Sequence, residues 1–77
     1  MLPSTLKKFP DRLRRAREVR GLTQAQLAEK IQRTHNVISN LERGVQVPSA
    51  DQIVRLCDAL DVSAGWLLGR KRKKVQK

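Results

Sequence analysis

Aromatic side chains are almost missing: Phe9 and Trp66 are the only two, and tyrosine is absent. Proteins that hold single-stranded nucleic acid stack its bases on aromatic rings, so that mode of binding is disfavoured. One cysteine, Cys57, excludes an internal disulfide framework and a cysteine-cluster metal site. One histidine, His35, leaves no metal constellation either, so neither a metal nor a cofactor is expected. No acid–base pair or nucleophile constellation stands out; no catalytic residue is assigned and an enzyme is disfavoured. No apolar run approaches the ~20 residues of a membrane span. The first eight residues lack an apolar segment of signal-peptide length, so a soluble, cytoplasmic and nucleoid-associated protein is expected. Acidic residues are also scarce: 7 against 17 Lys and Arg, for a net charge of +10 in 77 residues. Such a chain forms one domain with one small core and calls for an anionic partner. An acidic membrane surface fits poorly, because no large apolar face opposes the basic residues.

What is present is helical punctuation. Pro10, Asp11 and Gly21 bound a first helix from about residue 9 to Arg20, with Phe9, Leu13, Ala16, Arg17 and Arg20 on one stripe. Thr23 and Gln26 form a capping-box pair for a second helix with an inward face of Leu27, Ala28 and Ile31. Thr34 is placed to cap a third helix that ends at Gly44, with Ile38, Leu41 and Glu42 on its inner stripe. Ser49 and Gln52 form a second capping box, opening a fourth helix to about Leu60. Its residues Ile53, Leu56, Cys57 and Leu60 follow i, i+3, i+4, i+7 spacing, a buried stripe. Ser63 caps a short fifth helix through Leu68, and Gly69 ends it. Residues 1–8 are expected to be a flexible arm, residues 9–69 the folded domain, and the basic run 70–77 a disordered tail.

The outward face of the third helix carries His35, Asn36, Ser39, Asn40 and Arg43 at i, i+1, i+4, i+5 and i+8, with Thr34 just ahead of it. That face is polar and lacks acid. Asn pairs bidentately with adenine, and Ser and His reach base edges or phosphates. Two short helices joined by a tight turn, over residues 24–43, with such a face outward, point to the major groove of double-stranded DNA. Gln24, in the first turn of the second helix, is positioned to grip a phosphate together with free backbone N–H groups. Arg17 and Glu42 lie on inward stripes facing one small core, so the two charges are expected to pair.

The order and spacing of several short pieces make the chain resemble the lambda-repressor-like, Cro/C1-type or XRE-type, helix-turn-helix family. The pieces are Arg17 with Gly21-Leu22-Thr23-Gln24, then Leu27 to Ile31 and Ile38-Ser39 with Leu41 to Gly44. Pro48-Ser49, Ala59-Leu60, Val62-Ser63 and Trp66 to Gly69 complete the pattern. The resemblance covers roughly three quarters of the chain. It implies an all-α, five-helix domain and a transcriptional regulator, usually a homodimer on a DNA operator. It also implies the same Arg17–Glu42 pairing. Three positions depart from the pattern: Gln32 stands where Gly is frequent, Arg33 where an apolar residue is usual, and Asp61 where Gly or Asn often follows the fourth helix. A non-Gly residue at positive φ strains its turn, although Asp tolerates it better than most.

The reading is a prokaryotic or phage repressor that acts by occupancy of a palindromic operator. One recognition helix reads too few base pairs to select a genomic site, so a homodimer is expected, joined through Val47, Pro48, Trp66 and Leu67. No small-molecule ligand is evident. Further partners open to such a regulator are a toxin protein, which would make it an antitoxin, or RNA polymerase. Its rivals are the controller of a restriction system and a protein-interaction adaptor. An adaptor has no need of the Asn36 and Asn40 pair.

Overall fold

Five α-helices form within residues 2–69, which are the residues the computed structural model describes. They are α1 (Phe9–Val19), α2 (Gln24–Lys30), α3 (His35–Arg43), α4 (Ala50–Leu60) and α5 (Ala64–Leu67), and no strand occurs among the described residues. α3 packs against both α1 and α2, while α5 closes the other side against α1 and α4. The stripes expected from helical spacing meet in one core. Phe9, Leu13, Leu27, Ile31, Ile38, Leu41, Leu56, Leu60 and Leu67 are each almost completely shielded from solvent. Burying each such side chain contributes about 1.5–3 kcal/mol. Ala16 and Ala28 fill the narrow places between them.

The helix ends follow local chemistry. Both expected capping boxes form: Thr23 Oγ1 accepts from the Gln26 N–H at 3.1 Å and Ser49 Oγ accepts from the Gln52 N–H at 3.1 Å. Ser63 Oγ caps α5 by accepting from the Trp66 N–H at 3.1 Å. Gly44 ends α3 at φ +76°, and the Val45 N–H then reaches the Asn40 carbonyl at 3.1 Å. A β-carbon on Gly44 would stand 3.4 Å from Pro10 Cγ, so the end of α3 also lies tight against α1.

Four expectations need correction. Thr34 occupies the N-cap of α3 but its hydroxyl makes no capping bond. Residues 1–8 are not wholly a flexible arm: Ser4–Leu6 form a 3-10 turn, and apolar Leu6 packs against the core. Arg20 lies largely exposed beyond the end of α1, where its guanidinium donates to the Leu60 carbonyl at 3.0 Å and covers the open end of α4. On α4, Leu56 and Leu60 are buried while Ile53 and Cys57 remain half-buried. Burial, and then the charge of Asp58, push the Cys57 thiol pKa above its usual value. Cys57 is therefore expected to react slowly with iodoacetamide in the native protein and several-fold faster in denaturant. Equal rates in both conditions would show that the fold does not shield it. The expected basic tail, 70–77, lies outside the described residues.

The turn between α2 and α3 keeps the left-handed geometry that Gly would favour, with Gln32 at φ +59°. Strain of this kind persists only where surrounding contacts over-determine it, and they do. The Gln32 side-chain oxygen accepts from Arg55 at 3.1 Å and its carbonyl accepts from Arg33 at 3.0 Å. Arg33 and Arg55 both grip Asp51, at 2.6 Å and 3.0 Å. The basic residue at 33 thus ties the turn to the first turn of α4, in place of apolar packing. Asp61 takes the second left-handed non-Gly position, at φ +56°, just after α4.

Candidate nucleic-acid interface

The elements above hold α3 by its apolar side and leave its polar side outward. His35, Asn36 and Arg43 are exposed; Ser39 and Asn40 are half-exposed on the same face, and Thr34 is exposed at its head. With no cap to make, the Thr34 hydroxyl is free to meet a ligand. No acidic side chain lies on this face. The nearest carboxylate in sequence, Glu42, is turned into the core, where its residue is only 4% accessible.

Glu42 is the buried anchor of the site. Arg17 grips it bidentately, Nε to Oε2 at 2.6 Å and Nη2 to Oε1 at 3.0 Å. Arg17 also donates to the Leu22 carbonyl at 2.8 Å, which fixes the entry to α2. Its hydrogen bond to Glu42 raises the Arg17 pKa, against a burial that works the other way, so the guanidinium stays charged. The pairing anticipated from the two inward stripes is therefore present and joins α1 to α3.

Gln24 is drawn into this network. Its amide nitrogen donates to Glu42 Oε1 at 3.0 Å and its amide oxygen lies 2.9 Å from His35 Nε2. An unbroken polar path runs Arg17–Glu42–Gln24–His35, from the core to the first residue of α3. Sequence reading placed Gln24 against phosphate but missed this bridge. Only the crossing of α2 over α3 brings Gln24 beside His35, 11 positions apart. The second N–H of the Gln24 amide stays available to a phosphate oxygen. A further unforeseen contact joins Arg43 Nη2 to Asn40 Oδ1 at 2.7 Å and orients the Asn40 amide. Asn36 makes no side-chain hydrogen bond among the described residues, so both ends of its amide are free.

The interface expected between two copies is only partly at the surface. Leu67 is fully buried in the core and Pro48 is also buried, so neither offers a contact to a partner; both expectations are corrected. The α5 helix has one turn, which turns Leu67 inward. Trp66 is half-buried, with the Arg12 guanidinium 4.8 Å from the ring centroid and donating to the Trp66 carbonyl at 2.9 Å. Val47 is 51% exposed and remains available. Val45 and Val54, exposed at 59% and 60%, were not singled out from sequence. Both stand close in sequence to the start of α4. For Val54 the available signal was a branched apolar residue on the polar side of an amphipathic helix; Val45, in the loop between α3 and α4, had none. No group of three or more His, Cys, Asp or Glu side chains gathers to hold a metal among the described residues. No helix there is long and apolar enough to cross a membrane.

Residues 9–72 match the model of a family described as a helix-turn-helix domain. The chain is 39% identical over 59 residues to the HTH-type transcriptional regulator ImmR of Bacillus subtilis (strain 168), covering 77% of this chain and 46% of that one. It thus spans about half the length of that curated relative. Its fold is similar to the restriction-modification controller protein C.AhdI from Aeromonas hydrophila, with TM-score 0.77, 34% identity and coverage of 84% and 98% of the two chains. It is similar as well to the P22 c2 repressor protein, solved in complex with a synthetic operator, with TM-score 0.77, 27% identity and coverage of 82% and 96%.

Proposed function

The chain belongs to the helix-turn-helix domain family of DNA-binding transcriptional regulators, and from that premise we propose that it is a repressor that binds a palindromic DNA operator as a homodimer. The observation that carries the reading is the acid-free polar face of α3, held outward by a core-anchored ion pair on a chain of net charge +10. In this mechanism α3 enters the major groove. Asn36, Asn40 and His35 address base edges; Ser39, Thr34, Arg43 and the spare Gln24 N–H address base edges or phosphates. Phosphate contacts set the register and base contacts select the sequence. Occupancy of the operator then blocks access of polymerase. DNA neutralises the excess positive charge, so binding weakens steeply with added salt.

Selection of bound sequences from a random duplex library tests the reading. The expected result is a two-fold symmetric consensus with half-sites one helical turn apart, ~34 Å between centres. No enriched sequence, or one asymmetric half-site bound by a monomer, would refute it. The exposed valines Val47 and Val54 are the favoured contact between copies. Val54→Asp is expected to leave the melting temperature nearly unchanged, because the residue already faces water. It should also convert steep, cooperative operator binding into weak binding of separate half-sites. Unaltered cooperativity in Val54→Asp and Val47→Asp would remove this surface from the interface.

Control of a restriction-modification system is a second setting for the same DNA chemistry. Its support is the likeness to C.AhdI, 98% of whose length this chain covers. Location of the selected consensus beside restriction or modification genes is expected in that case; its absence there would dismiss the setting.

A further inference from the structure

The Arg17–Glu42–Gln24–His35 path has a directional logic that follows from donor and acceptor types alone. Both oxygens of Glu42 already accept from Arg17, so toward Gln24 the carboxylate offers only lone pairs. The end of the Gln24 amide that faces Glu42, 3.0 Å away, must then be its NH2 group. The carbonyl oxygen of that amide is left facing His35, 2.9 Å from Nε2. An amide oxygen accepts and never donates, so His35 Nε2 must carry a hydrogen. The opposite neutral tautomer would set the Nε2 lone pair against the lone pairs of the Gln24 oxygen. Flipping the Gln24 amide cures that clash only by setting its oxygen against buried Glu42. An ion pair in the core thus dictates, through one glutamine, which ring nitrogen of an exposed histidine holds the proton.

We propose that Gln24 is the positioning residue that fixes neutral His35 as its Nε2–H tautomer, so that α3 presents Nδ1 as an acceptor and selects adenine or cytosine at the base pair it meets. The base preference rests on the DNA reading above. In the major groove only adenine N6 and cytosine N4 offer hydrogens; guanine N7 and O6 and thymine O4 offer lone pairs. An acceptor at Nδ1 therefore favours the two amino-bearing bases and rejects guanine and thymine at that position. This assigns His35 a different reading rule from Asn36 and Asn40, whose amides carry both a donor and an acceptor. It also turns the buried pair into part of the specificity device, since without Glu42 the Gln24 amide is free to flip.

Two measurements test it separately. In the ring-nitrogen NMR spectrum of the free protein, recorded in mildly alkaline buffer, Nε2 is expected to be the protonated nitrogen and Nδ1 the bare one. Gln24→Met keeps the size and the helix but removes both amide ends, and it should give a mixture of tautomers. A wild-type ring protonated on Nδ1, or a spectrum unmoved by Gln24→Met, would overturn the positioning role. On the selected operator, replacing the adenine or cytosine that meets His35 by guanine or thymine should weaken wild-type binding about ten-fold. In His35→Ala and Gln24→Met the same replacement should matter less than about two-fold, with the preferences read by Asn36 and Asn40 intact. An unchanged preference in His35→Ala would overturn the selection rule while leaving DNA recognition standing. Failure to bind any duplex selectively would instead refute the functional reading and the selection rule together, and the NMR result alone would decide the tautomer.

Discussion

Replacing Glu42 by Gln is expected to destabilise the domain by about 3 kcal/mol, far more than removal of a charge from an exposed helix face. The side chains of Glu42 and Arg17 are only 3% and 13% exposed, and their two short contacts leave little room for water. Removing the carboxylate charge strands a guanidinium in a place built for an ion pair. Taking away one partner of a buried pair typically costs ~3–5 kcal/mol. The slight exposure of Arg17, and its remaining bond to the Leu22 carbonyl, place the expected cost near the lower end. For a domain of this size that loss lowers the melting temperature by roughly 12–24 °C. Glu29→Gln, on an exposed position of α2, is the matched control and should stay within about 0.5 kcal/mol. Urea titrations of both variants give the comparison. Equal stabilities would mean that the Arg17–Glu42 pair contributes nothing beyond its geometry.

The second large effect concerns reading of the operator. Asn36→Ala and Asn40→Ala are each expected to weaken specific binding by about 1–3 kcal/mol and to relax preference at one base position. The two differ in preparation. The Asn40 oxygen already accepts from Arg43 at 2.7 Å, so its amide is oriented before DNA arrives. Asn36 has no such partner and must be ordered on binding. Arg43→Ala should therefore blur the preference read by Asn40 while leaving that of Asn36 in place. Binding titrations against the consensus and its single-base variants resolve these effects. If both asparagines can be removed without change in affinity or preferred sequence, α3 is not the reading helix. Because the two residues share one helix face, the double variant is not expected to show a simple sum.

Much of this molecule is written in short-range pattern. Capping boxes at Thr23–Gln26 and Ser49–Gln52 depend on residues three apart, and both form as spacing alone predicts. The core stripes of α1, α2 and α3 follow from the helical period, since residues three and four apart share a face whatever lies opposite. The Arg17–Glu42 pair was legible for a related reason. A charge on an inward stripe must find its opposite, and Glu42 is the one acid on the inward stripes, within reach of Arg17.

Sequence by itself therefore determined the helices, most of their inward faces and the helix-turn-helix with its polar outer face, because each depends on contacts within about one turn of chain. Tertiary structure alone decided what crosses between elements. It buried Pro48 and Leu67, although their neighbours Val47 and Trp66 keep exposed surface, and it set Arg20 over the open end of α4. It braced strained Gln32 through Arg33, Asp51 and Arg55. Above all it laid α2 across α3 so that Gln24 bridges Glu42 and His35. The physical reason is that periodicity gives the direction of a side chain from its own helix axis, whereas its partner depends on the angle and offset at which another helix crosses. Those are fixed only when the whole core packs.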